Sequence, residues 1–311
     1  MTYTVSVSGL RKAYGTQIVL DGIDLLVDRG SVFALLGPNG AGKTTTVNIL
    51  STLVRPDGGS ATIAGHDLLT DPDGVRRSIS LTGQYAAIDD VLTAEENLMM
   101  MARLLRLDAK AARARTSELL AEFDLEHVRD RRVKALSGGM RRRVDIAASV
   151  ITRPPLLFLD EPTTGLDPRS REQTWETVRR LVADGVTIML TTQYLEEADQ
   201  LADRIAMLNN GRIVAAGTAD ELKADLEGEV ARLEFSGADA FERASRGLEA
   251  VATDPARHTI DVATDGSADQ IRELLSQLES ASIPVARLSL HRPSLDDVFL
   301  SLTEQPTEAA R

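Results

Sequence analysis

Gly37-Pro38-Asn39-Gly40-Ala41-Gly42-Lys43-Thr44-Thr45 is a glycine-rich loop that ends in a lysine and two hydroxyl residues. It matches G-x-x-x-x-G-K-[ST], the pattern of phosphate-binding P-loops. The apolar run at 32–36 predicts a short buried strand before the loop. The apolar spacing at 45–53 predicts a helix after it. This strand, loop and helix are the context that the motif requires, and it disfavours a chance glycine turn.

The residue types of this loop predict a nucleoside triphosphate site. Glycines at 37, 40 and 42 let main-chain N–H groups approach an anion, and the helix N-terminus adds unpaired donors and the positive end of its dipole. Lys43 brings a charge to the β- and γ-phosphates, and the Thr44 hydroxyl is placed to bind Mg²⁺. We therefore expect the whole stretch from Gly37 to Thr45 to contact the cofactor.

Composition limits the possible partners of the chain. Aromatic residues make up only 4% of the 311 residues, which argues against a base-stacking platform for nucleic acid. The formal net charge of −12 also disfavours binding to nucleic acid or to an anionic membrane surface. The chain has no cysteine, so it has no disulfide and no thiolate metal site.

A change in composition near residue 220 predicts two domains. Residues 221–311 carry 18 acidic and 9 basic side chains, a net charge of −9, whereas residues 1–220 are close to neutral. Alternating strand and helix patterns in 221–311 predict a small α/β domain. No window approaches the roughly 20 apolar residues of a membrane helix, so we expect another chain to supply any membrane-spanning part.

A second glycine-rich loop and an acid pair follow a helical stretch at about 88–150. Leu136-Ser137-Gly138-Gly139-Met140 opens a helix predicted over 141–151, which makes it a second candidate anion site. The apolar strand at 156–159 ends in Asp160 and Glu161. An acid at such a strand tip holds Mg²⁺ in P-loop proteins, which assigns Asp160 to the metal. We expect Glu161 to face the attacking water.

Three further features leave two interpretations each when they are taken alone. Tyr14, ahead of the P-loop strand, could stack on an adenine ring or be an ordinary edge-strand tyrosine. Gln84 follows a predicted strand end, where ligand-facing residues of α/β sheets collect, but it could equally be a surface glutamine. The run Arg141 to Arg143 could add positive charge near the phosphates or form a solvated helix face.

The order of these motifs resembles the ATP-binding subunits of ABC transporters, over about residues 3–218. The motifs are Tyr14, Gly37–Thr45, Gln84, Leu136–Met140, Asp160–Glu161 and Gly165-Leu166-Asp167. The resemblance implies an α/β fold of the P-loop NTPase type, with a RecA-like core, an antiparallel β subdomain and a helical subdomain at about 88–150. It makes residues 1–220 the ATP-binding domain and 221–311 an accessory α/β domain.

The same resemblance implies a homodimer that holds ATP·Mg²⁺ in two composite sites. Each ATP lies between the P-loop of one chain and the Ser137–Gly139 loop of the other. By resemblance, Gln84 contacts the metal and reports to an integral membrane permease. The cofactor contacts implied outside the P-loop are Tyr14, Gln84, Ser137, Gly138, Gly139 and Asp167, and the metal contacts are Thr44, Gln84 and Asp160.

One position departs from the family pattern. A histidine usually follows the strand predicted at 186–190, but here the residue is Gln193. Glutamine cannot accept a proton near neutral pH, although it can still donate a hydrogen bond to a γ-phosphate oxygen. We therefore expect Glu161 to polarise the water, Lys43 to stabilise the phosphate charge and Gln193 only to position or sense. The alternative is a slow or degenerate site.

Two segments are similar to the daunorubicin-resistance type of drug-export ATPase: 191–199, which includes Gln193, and 292–303, predicted as a short amphipathic helix. This resemblance implies a peripheral protein at the cytoplasmic face of the cell membrane that energises export of a drug or another amphiphilic compound. The alternatives are a soluble ATPase of the same fold and a nucleotide-dependent regulator not coupled to transport.

Overall fold

The computed structural model describes residues 3–83, 87–224, 229–291 and 294–304. The chain forms two compact units, Met1–Ala219 and Asp220–Arg311. Gln84 lies outside the described residues, so its predicted place at the site stays a prediction.

The first unit contains two sheets. The strands of the antiparallel sheet, in the order β2-β1-β4-β5, are β1 (Tyr3–Tyr14), β2 (Gln17–Asp28), β4 (Gly58–Ile63) and β5 (His66–Asp67). The second sheet, in the order β10-β9-β3-β8-β7-β6, contains β3 (Val32–Leu36), β6 (Ile79–Thr82), β7 (Leu156–Asp160), β8 (Thr187–Thr192), β9 (Arg204–Asn209) and β10 (Arg212–Gly217). Its neighbouring strands are parallel except for β10, which is antiparallel to β9.

The two sheets differ in how far their strands are buried. Every residue of β3, β7 and β8 is buried, as expected for parallel strands that are covered on both faces. In β2, buried residues alternate with more exposed ones through most of the strand. One core, which includes Leu20, Phe33, Phe158 and Met189, joins side chains from both sheets.

The helices of the first unit lie between and beside these strands. They are α1 (Lys43–Leu50), α2 (Pro72–Ser78), α3 (Ala94–Leu104), α4 (Ala109–Glu122), α5 (Gly138–Ser149), α6 (Pro168–Ala183) and α7 (Leu195–Leu201), and α8 (Ala219–Ala224) spans the boundary between the units. Short 3₁₀ turns occupy Glu126–Val128 and Val133–Ala135. Helix α1 contacts β2 of one sheet and β7 and β8 of the other.

The structure moves some predicted boundaries. Helix α1 begins at Lys43 and ends at Leu50, two residues earlier than the predicted start and three before the predicted end. Helix α5 begins inside the second glycine loop, at Gly138, because the Ser137 side chain caps it by accepting a hydrogen bond from the Met140 N–H. Helices α2, α6 and α7 were not predicted from the sequence.

The second unit is a small α/β arrangement. Its antiparallel sheet has the order β12-β13-β11-β14, and the elements are β11 (Glu229–Glu234), α9 (Ala238–Gly247), β12 (Ala250–Asp254), β13 (Thr259–Thr264), α10 (Ala268–Ser280), β14 (Arg287–His291) and α11 (Leu295–Glu304). A separate apolar core, with Leu233, Phe241, Ile260 and Leu278, lies under this sheet. In the described parts of both units, no helix is long and apolar enough to span a bilayer.

Candidate nucleotide site

The P-loop lies at the carboxyl edge of the parallel sheet, between β3 and α1. The Gly37 N–H donates to the Thr192 carbonyl at 3.2 Å, which ties the start of the loop to the end of β8. Gly42 has φ +111°, and a Cβ atom there would lie 2.7 Å from Leu20 Cδ2. Only glycine fits this position, because both the backbone angle and the contact exclude a side chain.

Lys43 is buried inside the loop that precedes it. Its ammonium donates to the carbonyls of Gly37 at 2.8 Å and Pro38 at 3.1 Å, and lies 3.5 Å from Glu161 Oε1. Burial lowers the pKa of Lys43, and the nearby Glu161 carboxylate opposes that shift. A poorly solvated cation at this point is available for a phosphate without a large further loss of hydration.

Thr44 and Asp160 meet although they are 116 residues apart in sequence. The Thr44 hydroxyl donates to Asp160 Oδ2 at 3.1 Å, and the Thr191 hydroxyl, from β8, also donates to the Asp160 carboxylate. The hydroxyl and carboxylate oxygens are hard ligands of the type that Mg²⁺ prefers. The donor set therefore fits a magnesium ion that is completed by water and phosphate oxygens.

Glu161 has a backbone conformation that is rare for its type, with φ +48°. Its N–H donates to the Thr191 carbonyl at 3.1 Å, and its Oε2 accepts a hydrogen bond from the Thr164 hydroxyl at 3.3 Å. The turn separates the two neighbouring acids: Asp160 contacts Thr44 of α1, whereas Glu161 lies beside Lys43. Strained residues of this kind cluster at functional sites.

An open cleft of about 350 Å³ brings most of these side chains together. It is lined by Gln17, Val19, Asn39, Gly40, Gly42, Lys43, Thr44, Thr45 and Glu161. Sequence reasoning missed Gln17 and Val19, which reach the cleft because β2 passes beside the loop. No motif in the sequence marks these two positions.

Tyr14 is next to the cleft but is not one of its lining residues. It pairs with Gln17 at the turn between β1 and β2, and 51% of its surface is exposed. The Lys12 ammonium lies 5.4 Å from the centre of its ring. An exposed ring beside the cleft agrees with either interpretation of the sequence, a stacking platform or an ordinary edge tyrosine.

The second glycine loop does not line this cleft. Ser137 and Gly138 are exposed, whereas Gly139 packs so closely on α6 that a Cβ atom there would lie 2.5 Å from Ser170 Oγ. The N–H groups at this helix N-terminus lie in an exposed loop. They do not line the P-loop cleft of the same chain.

Comparison with known proteins identifies the architecture. The family model described as ABC transporter matches residues 20–164, and the model of the ATP-binding protein DrrA1-3-like C-terminal domain matches residues 217–303. The daunorubicin/doxorubicin resistance ATP-binding protein DrrA of Streptomyces peucetius is 50% identical over 311 residues, which cover 99% of this chain and 94% of the relative. The chain belongs to the ATP-binding proteins of ABC transporters, in the daunorubicin-resistance subgroup.

Solved structures of ABC proteins agree with this assignment and confirm the predicted fold class. A structure described as the ATP-binding subunit of an ABC transporter has a TM-score of 0.63 and 34% identity, covering 72% of this chain and 93% of that one. A dimeric ATP-binding cassette in a post-hydrolysis state, bound to ADP and Pi, has a TM-score of 0.62 and 26% identity, covering 69% and 98%. The chain is thus an ABC-type ATPase.

Two remaining site candidates of this ABC ATPase lie at element ends. Asp167 caps α6 by accepting hydrogen bonds from the Ser170 N–H and hydroxyl, which hold the pKa of Asp167 below its ordinary value. Gln193 is half-buried and directly follows β8. Its neighbours on that edge are the loop after β3 and the acid pair after β7, because β8 lies between those two strands.

The structure corrects one expectation about the helix after the second glycine loop. A solvated face at 141–143 is wrong for Arg142 and Arg143, which are both buried in the ABC subunit. Arg142 donates to the Gly83 carbonyl at 3.0 Å, and Arg143 donates to the Phe123 carbonyl at 3.3 Å. These two side chains bind protein carbonyls inside the unit rather than facing water.

Proposed function

We propose that this chain hydrolyses ATP·Mg²⁺ to energise the export of a drug or another amphiphilic compound through a separate membrane-spanning permease. It acts as a homodimer at the cytoplasmic face of the membrane. The observation that carries the proposal is one open cleft that is lined by Lys43 and Thr44 of α1 and by Glu161, which directly follows β7. Asp160, the last residue of β7, is hydrogen-bonded to Thr44 beside this cleft.

Each side chain has a role that its chemistry allows. The loop N–H groups and Lys43 hold the phosphates, and Thr44 and Asp160, together with Gln84, hold the magnesium ion. When bound, that ion neutralises charge that develops on the phosphate oxygens. Glu161 orients and polarises the attacking water, and Gln193 positions the γ-phosphate by a neutral hydrogen bond.

The separation of the two glycine loops supports the proposed homodimer. Ser137 and Gly138 are exposed and do not line the P-loop cleft of their own chain. A second copy can bring its Ser137–Gly139 loop to the open side of the cleft, and the similar dimeric cassette bound to ADP and Pi supports this arrangement. Tyr14 and Asp167 are the remaining proposed contacts around the nucleotide.

The proposed cargo rests on the relatives. The Streptomyces protein is named for resistance to daunorubicin and doxorubicin, and the similarity extends through the C-terminal unit. Both compounds are amphiphilic drugs, so we propose cargo of this chemical class. Nucleic acid is disfavoured as a partner by the net charge of −12.

Lys43→Ala tests the proposal, with Lys110→Ala on the exposed side of α4 as the matched control. Loss of a buried charged hydrogen-bond donor should weaken ATP binding at least about tenfold and abolish ATPase activity. Binding is measured with a fluorescent ATP analogue, and turnover by phosphate release. Unchanged binding and hydrolysis by Lys43→Ala would refute the site, whereas ATP binding without turnover in the wild type would support a regulator.

A second measurement tests the coupling to transport. The chain should co-purify with an integral membrane permease encoded separately, and amphiphilic drug should stimulate ATP hydrolysis in vesicles that contain both. ATPase activity that never responds to a permease or to drug would favour a soluble ATPase of the same fold.

A further inference from the structure

Two side chains of α5 hold the backbone on both sides of residues 84–86. Arg142 Nη1 donates to the Gly83 carbonyl at 3.0 Å, and Asp145 Oδ1 accepts a hydrogen bond from the Ala87 N–H at 3.0 Å. The two side chains also bind each other, with Arg142 Nη1 lying 3.1 Å from Asp145 Oδ2. One ion pair therefore joins three places in the chain.

The pair is buried, so its two charges lose hydration free energy when the protein folds. Arg142 is 9% exposed and Asp145 is 3% exposed. Burial lowers the pKa of Arg142 and raises the pKa of Asp145, and each shift is opposed by the charge of the other residue. Two further donors of Arg142, Nε and Nη2, have no hydrogen-bond partner among the described residues. Replacing such a pair by apolar residues is often neutral or stabilising, so stability alone is a weak reason for its presence.

The pair connects the helix that begins in the second glycine loop to the sheet that contains the P-loop strand. Gly83 directly follows Thr82, the last residue of β6, which belongs to the same sheet as the P-loop strand β3. Arg142 lies five residues after Ser137, which caps α5. At about 1.5 Å of rise per residue, Arg142 is about 7.5 Å along the helix axis from Ser137.

We propose that Arg142 and Asp145 form a positioning pair that fixes the first turns of α5 to the end of β6, and thereby sets where the Ser137–Gly139 loop is presented to a second chain. This inference rests on the proposed composite ATP site. Neither residue needs to touch nucleotide. A shift of about 1 Å in a positioning element can cost about a hundredfold in rate, so the pair affects turnover far more than it affects ATP binding to the P-loop.

An exposed ion pair on the same helix provides a matched comparison. Arg141 Nη2 lies 2.6 Å from Asp90 Oδ1, and both side chains are at least 40% exposed. It connects α5 to Asp90, three residues after Ala87, but exposed ion pairs contribute little to stability. Asp90→Asn therefore removes an exposed ion pair of α5 and leaves the buried Arg142–Asp145 pair in place.

The experiment compares Asp145→Asn, Arg142→Met, Arg142→Lys and the double variant Arg142→Met/Asp145→Leu with Asp90→Asn and the wild type. We measure ATP affinity with a fluorescent analogue, kcat for hydrolysis, and ATP-driven pairing by sedimentation in the Glu161→Gln background. We expect Asp145→Asn, Arg142→Met and the double variant to keep ATP affinity within about twofold and to lose about tenfold or more in kcat and pairing. Arg142→Lys, which keeps the charge, should recover part of the loss, and Asp90→Asn should match the wild type.

Several results would overturn the inference. One is wild-type kcat and pairing in the double variant, which folds without a buried charge. Another is a loss of ATP affinity that parallels the loss of kcat, since this indicates general damage.

Failure of the proposed function is a separate result. If the Glu161→Gln protein, without any substitution in α5, does not dimerise when ATP is added, the proposed composite site is wrong. Hydrogen exchange at the Ala87 amide still reports on the contact itself, because it should accelerate in Asp145→Leu and not in Asp90→Asn. Unchanged exchange in Asp145→Leu would refute the contact independently of any dimer.

Discussion

At the residue scale, Glu161 and Gln193 are the two side chains for which we propose roles beside the γ-phosphate. Glu161 faces the cleft from a left-handed backbone conformation, beside Lys43. Gln193 follows the neighbouring strand and cannot accept a proton at neutral pH. The only side chain of these two that can accept a hydrogen bond from water as an anion is therefore Glu161.

Glu161→Gln should reduce steady-state ATP turnover by about 10²–10⁴, the usual cost of losing a general base, whereas Gln193→Ala should reduce it less. The Glu161→Gln protein should also accumulate as an ATP-bound dimer. Turnover is measured by phosphate release, with exposed Glu176→Gln as the control. Equal turnover by Glu161→Gln and the wild type would contradict the assignment.

Glu197 is a buried acid that serves the structure rather than the nucleotide. Its Oε1 accepts hydrogen bonds from the Thr163 hydroxyl at 2.8 Å and from Trp175 Nε1 at 3.2 Å. Burial raises the pKa of Glu197, against the hydrogen bonds from Thr192, Thr163 and Trp175 and the charge of Arg142. Ionisation of this side chain is therefore less favourable in the folded protein than in the unfolded chain.

Glu197→Gln should raise the melting temperature at pH 7–8, because glutamine mimics the neutral form and keeps an oxygen acceptor. Each 1 kcal/mol corresponds to about 2–4 °C in a unit of this size. Since the folded pKa is raised, the cost of the charge is absent below the unfolded pKa and complete above the folded one. The difference from the wild type should thus shrink as the pH falls towards the ordinary pKa of glutamate.

Calorimetry between pH 4 and 8 checks this dependence, with exposed Glu196→Gln as the control, which should show no such convergence. A wild type that is more stable than Glu197→Gln at neutral pH would show that the ionised form is favoured.

At the scale of elements, the contact between α5 and α6 fixes the second glycine loop. A Cβ atom at Gly139 would lie 2.5 Å from Ser170 Oγ and 2.7 Å from Ser170 Cβ, whereas at Gly138 the nearest atom is Leu166 Cδ2 at 3.4 Å. The two neighbouring glycines therefore serve different purposes. Gly139 permits close packing of two helices, and Gly138 leaves the exposed side of the loop without a side chain.

Gly139→Ala should lower the free energy of unfolding by about 1–3 kcal/mol, the usual cost of overpacking, because α5 and α6 must separate. Gly138→Ala should be tolerated, since a Cβ atom there would only make an ordinary van der Waals contact with Leu166 Cδ2, at 3.4 Å. Urea unfolding of the ATP-free protein measures both variants. The double variant Gly139→Ala/Ser170→Gly should recover part of the loss, and an equal effect of the two single variants would argue against the packing explanation.

The elements that could be predicted from the sequence are those with a local signal. Apolar runs next to glycine or acidic residues predict the P-loop strand and helix and the strand β7, which ends in Asp160. Helix α6 was missed because its buried face includes Thr174 and Thr177 besides Trp175, Val178 and Leu181, so the apolar stripe is interrupted. Helix α7 has only 7 residues, too few to show a period.

The parts of the site that could not be predicted depend on contacts between distant segments. Gln17 and Val19 line the cleft only because β2 of the antiparallel sheet passes beside the loop. The sequence favours solvent exposure for Arg142 and Arg143 because charged side chains are usually exposed. The carbonyls that they bind lie 59 and 20 residues away in sequence. A buried charge with a distant partner leaves no periodic signal.

At the scale of the whole molecule, each of the two units has an apolar core of its own among the described residues. One joins the two sheets of Met1–Ala219, and the other lies under the small sheet of Asp220–Arg311. The P-loop, the acid pair and the second glycine loop all belong to the first unit. A ligand that binds the P-loop cleft can stabilise only the unit whose folding creates that cleft.

Scanning calorimetry of the full chain should therefore show two transitions, of which ATP·Mg²⁺ raises only the one that belongs to the first unit. At a free ATP concentration about 100 times the Kd, the stabilisation is about 2.7 kcal/mol. This corresponds to an increase of about 5–11 °C for a unit of this size. Lys43→Ala, which should bind ATP at least about tenfold more weakly, should lose about half or more of this increase, which separates specific binding from an effect of ionic strength. A single transition that ATP shifts as a whole would show instead that the two cores unfold together, and would make the C-terminal unit a structural part of the nucleotide-binding domain.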